Sequence, residues 1–263
     1  MKRHEGFAWL LVVSVLSLVV VGCQGEPTGG TAPGLQEAER LRMSNDPAQA
    51  LGAAQRFINE NPNTPYKSDA LLLMGECEMT LGQYPQAQRH FQDAQMKPRN
   101  NAIAARARFG MGDAAFAQDS YTDAISAYQS ALKTGKGDIP AAKATYKLGL
   151  AQIRNQNWAE GRTYMRQVRD GYGSSEQAEW AKDVLVLSTD GFQLQCGAFA
   201  DPKSTDALMA KLHSMGLQPR VQTITRGGRP LQAVRVGSYG SYVQARQECD
   251  RLRSQKIEAF VFP

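Results

Sequence analysis

The chain has 263 residues and a formal net charge of +5, with 42% hydrophobic and 21% charged residues. That length holds one large or two modest domains, and the composition is that of a globular chain, which excludes a disordered one. The positive excess sits in residues 191–263, with ten Lys and Arg against five Asp and Glu, whereas residues 24–190 carry eighteen against nineteen. A basic domain suits an anionic partner or is plain solvated charge.

Met1-Lys2-Arg3 is a basic start, and Phe7 to Val21 is an uncharged apolar run of fifteen residues. A helix needs roughly twenty to span a bilayer. The run ends at Val20-Val21-Gly22-Cys23, which resembles a bacterial lipobox with Val20 and Val21 in place of the usual Leu and Ala or Ser. The resemblance implies a signal peptide over residues 1–22 and a mature N-terminus at Cys23 bearing diacylglycerol and palmitate. An uncleaved anchor is the other reading, and either tethers the chain to a membrane. Gln24 at the second mature position implies, by the sorting rule of enteric bacteria, the outer membrane, with the chain facing the periplasm. Residues 23–34 are rich in Gly and Pro and read as a flexible tether. An exported chain rarely meets nucleic acid, so no nucleic-acid partner is expected.

Residues 35–190 repeat with a period of 37 residues. Gly75, Gly112 and Gly149 are in register, as are Ala50, Ala87, Ala124 and Gly161, and the aromatics Tyr84, Tyr121 and Trp158. Apolar residues at helical spacing on either side of a break such as Gly82 predict two helices per unit, and periods of this size predict a stacked solenoid. Small residues where helices cross let a partner's aromatic fill the gap. Met74-Gly75, Gly82, Tyr84, Ala87, Phe91 and Ala94 resemble a tetratricopeptide repeat, as do Met111-Gly112, Tyr121, Ala124, Tyr128 and Ala131, and Leu148-Gly149, Trp158, Gly161 and Met165. Gly161 stands where Ala is usual. Helices over residues 36–43 and 47–59 read as a degenerate repeat. Residues 175–187 read as a terminal capping helix whose apolar Val184-Leu185-Val186-Leu187 predicts docking on the next domain. The resemblance implies a protein partner in the inner groove, which the sequence does not identify.

In residues 191–263, Phe192, Leu194 and Cys196 alternate with Gln193 and Gln195 as a strand with one apolar face. A helix over residues 203–215 follows, and Ala233 to Tyr239 repeats the strand and its small-residue turn. Tyr242, Ala245, Cys249 and Leu252 lie at helical spacing, and Ile257 to Phe262 alternates as a closing strand. The expected fold is thus an all-α solenoid followed by a small α+β domain, βαββαβ, with two helices on one face of a four-stranded antiparallel sheet. The other face is expected to be open and to carry Gln193, Gln195, Arg235 and Phe260, with Leu231 and Ala233 sharing the parity of Arg235.

Gln195-Cys196-Gly197-Ala198-Phe199 and Arg235-Val236-Gly237-Ser238-Tyr239 with the two helices resemble the SPOR domain of bacterial cell-division proteins. That resemblance implies binding of peptidoglycan, specifically glycan strands stripped of stem peptides. Gln195 matches the family's polar first-strand residue and Phe260 its apolar last-strand contact. Ala198 and Ala233 depart from the usual Ser and Arg, and Arg235 is placed to supply the missing charge. The same layout resembles RNA-recognition domains, but their aromatic motif is absent and the leader argues against that partner.

Cys196 and Cys249 face each other across the predicted sheet and helix, and can form a disulfide if their Cα atoms lie within about 7 Å; two buried thiols are the alternative. His90 and His213 stand alone on helices. No HExxH, CxxC or nucleophile with a spaced His and carboxylate occurs, so no enzyme, metal or cofactor is expected. Two readings remain open: an envelope lipoprotein that binds septal glycan and recruits a partner, or an assembly scaffold whose SPOR domain binds no glycan.

Overall fold

The computed structural model describes residues 32–263 apart from residues 136, 188 and 189. The expected signal peptide and Cys23, the expected lipidation site, lie outside the described residues. Residues 33 and 34, read as the end of the tether, are the first of a helix.

Nine helices among the described residues form the solenoid: α1 Pro33–Met43, α2 Pro47–Glu60, α3 Lys67–Thr80, α4 Tyr84–Met96, α5 Asn101–Ala117, α6 Tyr121–Thr134, α7 Ala141–Arg154, α8 Trp158–Gly171 and α9 Glu176–Leu185. Side chains at several starts accept the unpaired first-turn amides, as Asp46 does from Gln49 N, Asn100 from Ile103 N and Ser175 from Ala178 N. Asn45, Gly82, Asp119 and Gln156 hold left-handed backbone, with φ of 62°, 73°, 59° and 69°. They stand 37 residues apart, one at the joint of each helix pair. Around each, the amide of the next residue bonds back five residues (Asp46 N to Leu41 O, Gln83 N to Glu78 O, Ser120 N to Ala115 O, Asn157 N to Gln152 O), which ends one helix and aims the next. The helix pair read as degenerate therefore bends as the other three do.

The glycines of the period are packing positions. A Cβ at Gly75 would lie 2.6 Å from the Phe91 ring, and one at Gly112 would lie 2.5 Å from that of Tyr128. Both rings are fully buried. Gly161 replaces the usual Ala because α7 and α8 approach closely: its Cβ would stand 2.9 Å from the Gly149 carbonyl oxygen.

The second domain runs β1 Phe192–Phe199, α10 Pro202–Ser214, β2 Arg220–Arg226, β3 Arg229–Tyr239, α11 Tyr242–Ser254 and β4 Phe260–Phe262. Its sheet is antiparallel in the order β2-β3-β1-β4. Leu194, Val234 and Val236 pack with Leu212 of α10 and with Ala245, Cys249 and Leu252 of α11, so both helices lie on one face as expected. Gln195 pairs with Arg235 and Gly197 with Val234, which leaves Cys196 as an extra residue. Such a bulge reverses the parity beyond it: Ala198 pairs with Ala233 and joins the face away from the helices.

The apolar core is continuous from the last repeats into the sheet. Ile153, Trp158, Val184 and Leu187 share one cluster with Phe192, Leu194 and Leu252. The ring of Trp158 lies 5.1 Å from that of Phe192, which is 5.7 Å from Tyr242. Of the apolar patch expected to dock, Val184 and Leu187 are buried while Val186 stays exposed.

Candidate functional site

Residues paired across an antiparallel sheet share a face, so the register places Gln193, Gln195, Gln222, Ile224, Arg226, Arg235, Phe260 and Phe262 together, away from α10 and α11. The four residues expected from sequence thus do share a face. At its centre, Arg235 Nε donates to Gln195 Oε1 at 3.2 Å and Nη1 to Gln222 Oε1 at 2.7 Å. The guanidinium carbon lies 3.6 Å from the centroid of the Phe262 ring, a cation held on an aromatic face. The third nitrogen, Nη2, is buried with no hydrogen-bond partner. Burial lowers the pKa of Arg235 to about 10, with Asp183 pulling the other way.

The face is not open, and this corrects the expectation. Arg235 is 3% exposed and Gln195 5%, while Phe260 at the β4 edge is 49% exposed. Within the sheet Arg235 is packed on Phe262 and bonded to Gln195 and Gln222, and at the β2 side of this face α9 lies against β2. Glu179 Oε2 and Oε1 accept the amides of Gly227 and Gly228, at 2.9 and 3.1 Å, in the turn between β2 and β3. One turn later, Asp183 pairs with Arg226 at 2.6 Å. Burial holds the Asp183 carboxyl above the usual carboxylate range, against the pull of Arg226 and Arg235.

Sequence reasoning missed Gln222, Phe262, Glu179 and Asp183. The first two carry a legible signal, because Gln222, Ile224 and Arg226 alternate, and Phe260 and Phe262 alternate. Glu179 and Asp183 stand four apart, on one side of a helix, but nothing local says which surface they meet.

Next to Phe260, an open cleft of about 440 Å³ is lined by Arg253, Lys256 and Glu258. In the solenoid, a groove of about 420 Å³ is lined by Arg42, Glu76, Arg106, Phe109 and Asp113 from α1, α3 and α5. Of the two readings of Cys196 and Cys249, the structure has them as two buried free thiols. Cys249 Sγ donates instead to Ala259 O at 3.1 Å, and burial pushes the Cys196 thiol up to about 11. His90 is not alone, since its Nδ1 lies 2.6 Å from Glu78 Oε2. Among the described residues no three His, Cys, Asp or Glu side chains gather as a metal site, and no helix is long and apolar enough to cross a membrane.

Residues 188–263 match the family model of the SPOR domain, and residues 72–139 and 109–178 match that of the tetratricopeptide repeat. No curated protein matches the chain. Among solved structures it is similar to the apo form of RapI, at 12% identity and a TM-score of 0.52, over 69% of this chain and 68% of that one. It is also similar to aspartyl phosphate phosphatase F from Bacillus subtilis, at 14% identity and a TM-score of 0.52, over 70% of this chain and 51% of that one. A third likeness is to MamA, at 21% identity and a TM-score of 0.46, over 56% of this chain and 85% of that one. The first two likenesses show the helical-repeat fold alone. SPOR domains are a peptidoglycan-binding family and tetratricopeptide repeats are protein-interaction modules, and neither is catalytic. The chain carries tetratricopeptide repeats over residues 72–178 and a C-terminal SPOR domain over residues 188–263.

Proposed function

We propose that the chain binds peptidoglycan through the face of the SPOR sheet built by Gln193, Gln195, Arg235 and Phe260, and takes glycan strands stripped of stem peptides. The observation that carries this reading is Arg235 Nη2, a buried donor without an acceptor. A buried donor left unpaired costs about 1–3 kcal/mol, and a sugar hydroxyl or acetamido oxygen would satisfy it. Gln195 and Gln222 hold the guanidinium in place. The exposed Phe260 offers an aromatic face on which a sugar ring stacks. The preference for stripped strands rests on the resemblance to the SPOR family.

In this reading, the solenoid groove recruits a protein partner for cell division or envelope organisation. Cys23 carries the lipid anchor that holds the chain at the outer membrane, facing the periplasm. The test is co-sedimentation of the full chain with sacculi before and after amidase treatment. More protein should pellet with the treated sacculi, and Arg235→Met should lose that gain; equal pelleting on both would overturn the proposal.

A second reading is an envelope scaffold that acts through its repeats alone. The burial of Gln195 and Arg235 favours it, as do Ala198 and Ala233 in place of polar residues. It predicts that Arg235→Met leaves sedimentation unchanged.

A further inference from the structure

We propose that α9 is a lid over the SPOR sheet, so that ligand reaches Arg235 and Gln195 only when α9 and the β2–β3 hairpin separate. The inference rests on the reading of that face as the glycan site. It starts from a contradiction within the site: a guanidinium with one nitrogen unpaired is built for a ligand, yet it is 3% exposed. No sugar stacks on or bonds to a group so enclosed. The state that binds therefore differs from this one.

What encloses the face can be traced. Ile224 shares it with Gln222 and Arg226 and is 2% exposed, although α10 and α11 lie on the other side of the sheet. Glu179, Asp183 and Val186 of the α9 region border Gln222 and Ile224 across a gap of about 320 Å³. The lid is held by two fasteners on one helix face, four residues apart. One is the Glu179 carboxylate on the Gly227 and Gly228 amides, and the other is Asp183 on Arg226.

Both fasteners are polar, and one of them works against desolvation of its own carboxyl. A contact made this way opens more readily than an apolar one, because water replaces each lost bond. The remaining attachments lie elsewhere: Trp158 on Phe192, Tyr121 and Arg154 on Tyr242, the Asp119–Arg246 ion pair, and Val184 and Leu187 in the shared apolar core. Separation of α9 from β2 is thus a hinge movement about the aromatic seam rather than release of the domain. A site competent in only a fraction of molecules shows an affinity reduced by that fraction, so the lid sets how strongly the chain holds glycan.

The test uses the full chain with amidase-treated sacculi and two variants. Glu179→Ala removes the first fastener at a partly exposed position, and Asp183→Lys sets a cation against Arg226 and Arg235. Amide exchange of Gly227 and Gly228 in Asp183→Lys, which keeps the Glu179 acceptor, is followed by NMR and reports opening independently of binding. The expected result is faster exchange in Asp183→Lys and sedimentation of both variants at about tenfold lower glycan concentration than the wild type. Equal binding by all three proteins would overturn the lid, as would exchange that Asp183→Lys does not accelerate. Faster exchange with no binding by any of the three would instead remove the glycan reading of the face, and the lid with it.

Discussion

Arg154, the last residue of α7, holds its guanidinium 4.3 Å from the ring of Tyr242 in α11, and the same cation lies 4.4 Å from Phe116 of α5. One side chain is thus pressed between the repeats and the SPOR domain. Its Nε is buried without a hydrogen-bond partner, so the rings are what favour its charge there. A desolvated cation–π contact contributes up to about 2 kcal/mol. Arg154→Ala and Tyr242→Ala should each lower stability by about 1–2 kcal/mol and split a single calorimetric transition into two. A double-mutant cycle should show the two losses overlapping; additive losses would mean that the rings and the cation act separately.

Two helix glycines predict changes of opposite sign. At Gly112 a Cβ would enter the Tyr128 ring, whereas at Gly52 the nearest atom is Arg56 Nη1 at 3.7 Å. Gly112→Ala should lower the urea midpoint by the equivalent of about 1–3 kcal/mol, the usual range for overpacking. Gly52→Ala should raise it by up to about 1 kcal/mol through helix propensity.

Asp183 predicts a pH dependence. Its carboxyl is held above the usual range when folded, so the native state binds its proton more tightly than the unfolded chain does. The contribution of this residue to stability is therefore greatest below the unfolded value, near 4, and is lost as pH rises through the higher folded value. Wild type should gain stability relative to Asp183→Asn as pH falls from 7 toward about 4, read as a difference of urea midpoints. A gap that stays constant over that range would refute the assignment.

Most of the architecture is legible in the residues because it rests on local periodicities. The 37-residue register of Gly75, Gly112 and Gly149 announces the solenoid, since one unit's glycine admits another side chain's ring. The alternation of Phe192, Leu194 and Cys196 with Gln193 and Gln195 announces a sheet with one apolar face. What the residues do not announce depends on meetings across the chain. Cys196 reads as one more alternating position, and only its pairing with β3 reveals the bulge that moves Ala198 to the other face. The burial of the face is hidden for the same kind of reason. Val184 to Leu187 signals docking, but the surface that receives Glu179 and Asp183, the β2–β3 turn and Arg226, lies more than forty residues further along the chain, which no local pattern encodes.

The left-handed residue at each joint of the solenoid has a consequence for how such a chain diversifies. Non-glycine residues occupy three of the four joints, so the bend is specified by the hydrogen bonds around it rather than by the side chain at its apex. That apex is a socket for residues that tolerate left-handed backbone, here Asn, Gly, Asp and Gln. In the third joint the socket is used: Asp119 ion-pairs with Arg246 of α11. A repeat array built this way acquires a new attachment point by changing one letter at a bend, while the helices on either side keep their course.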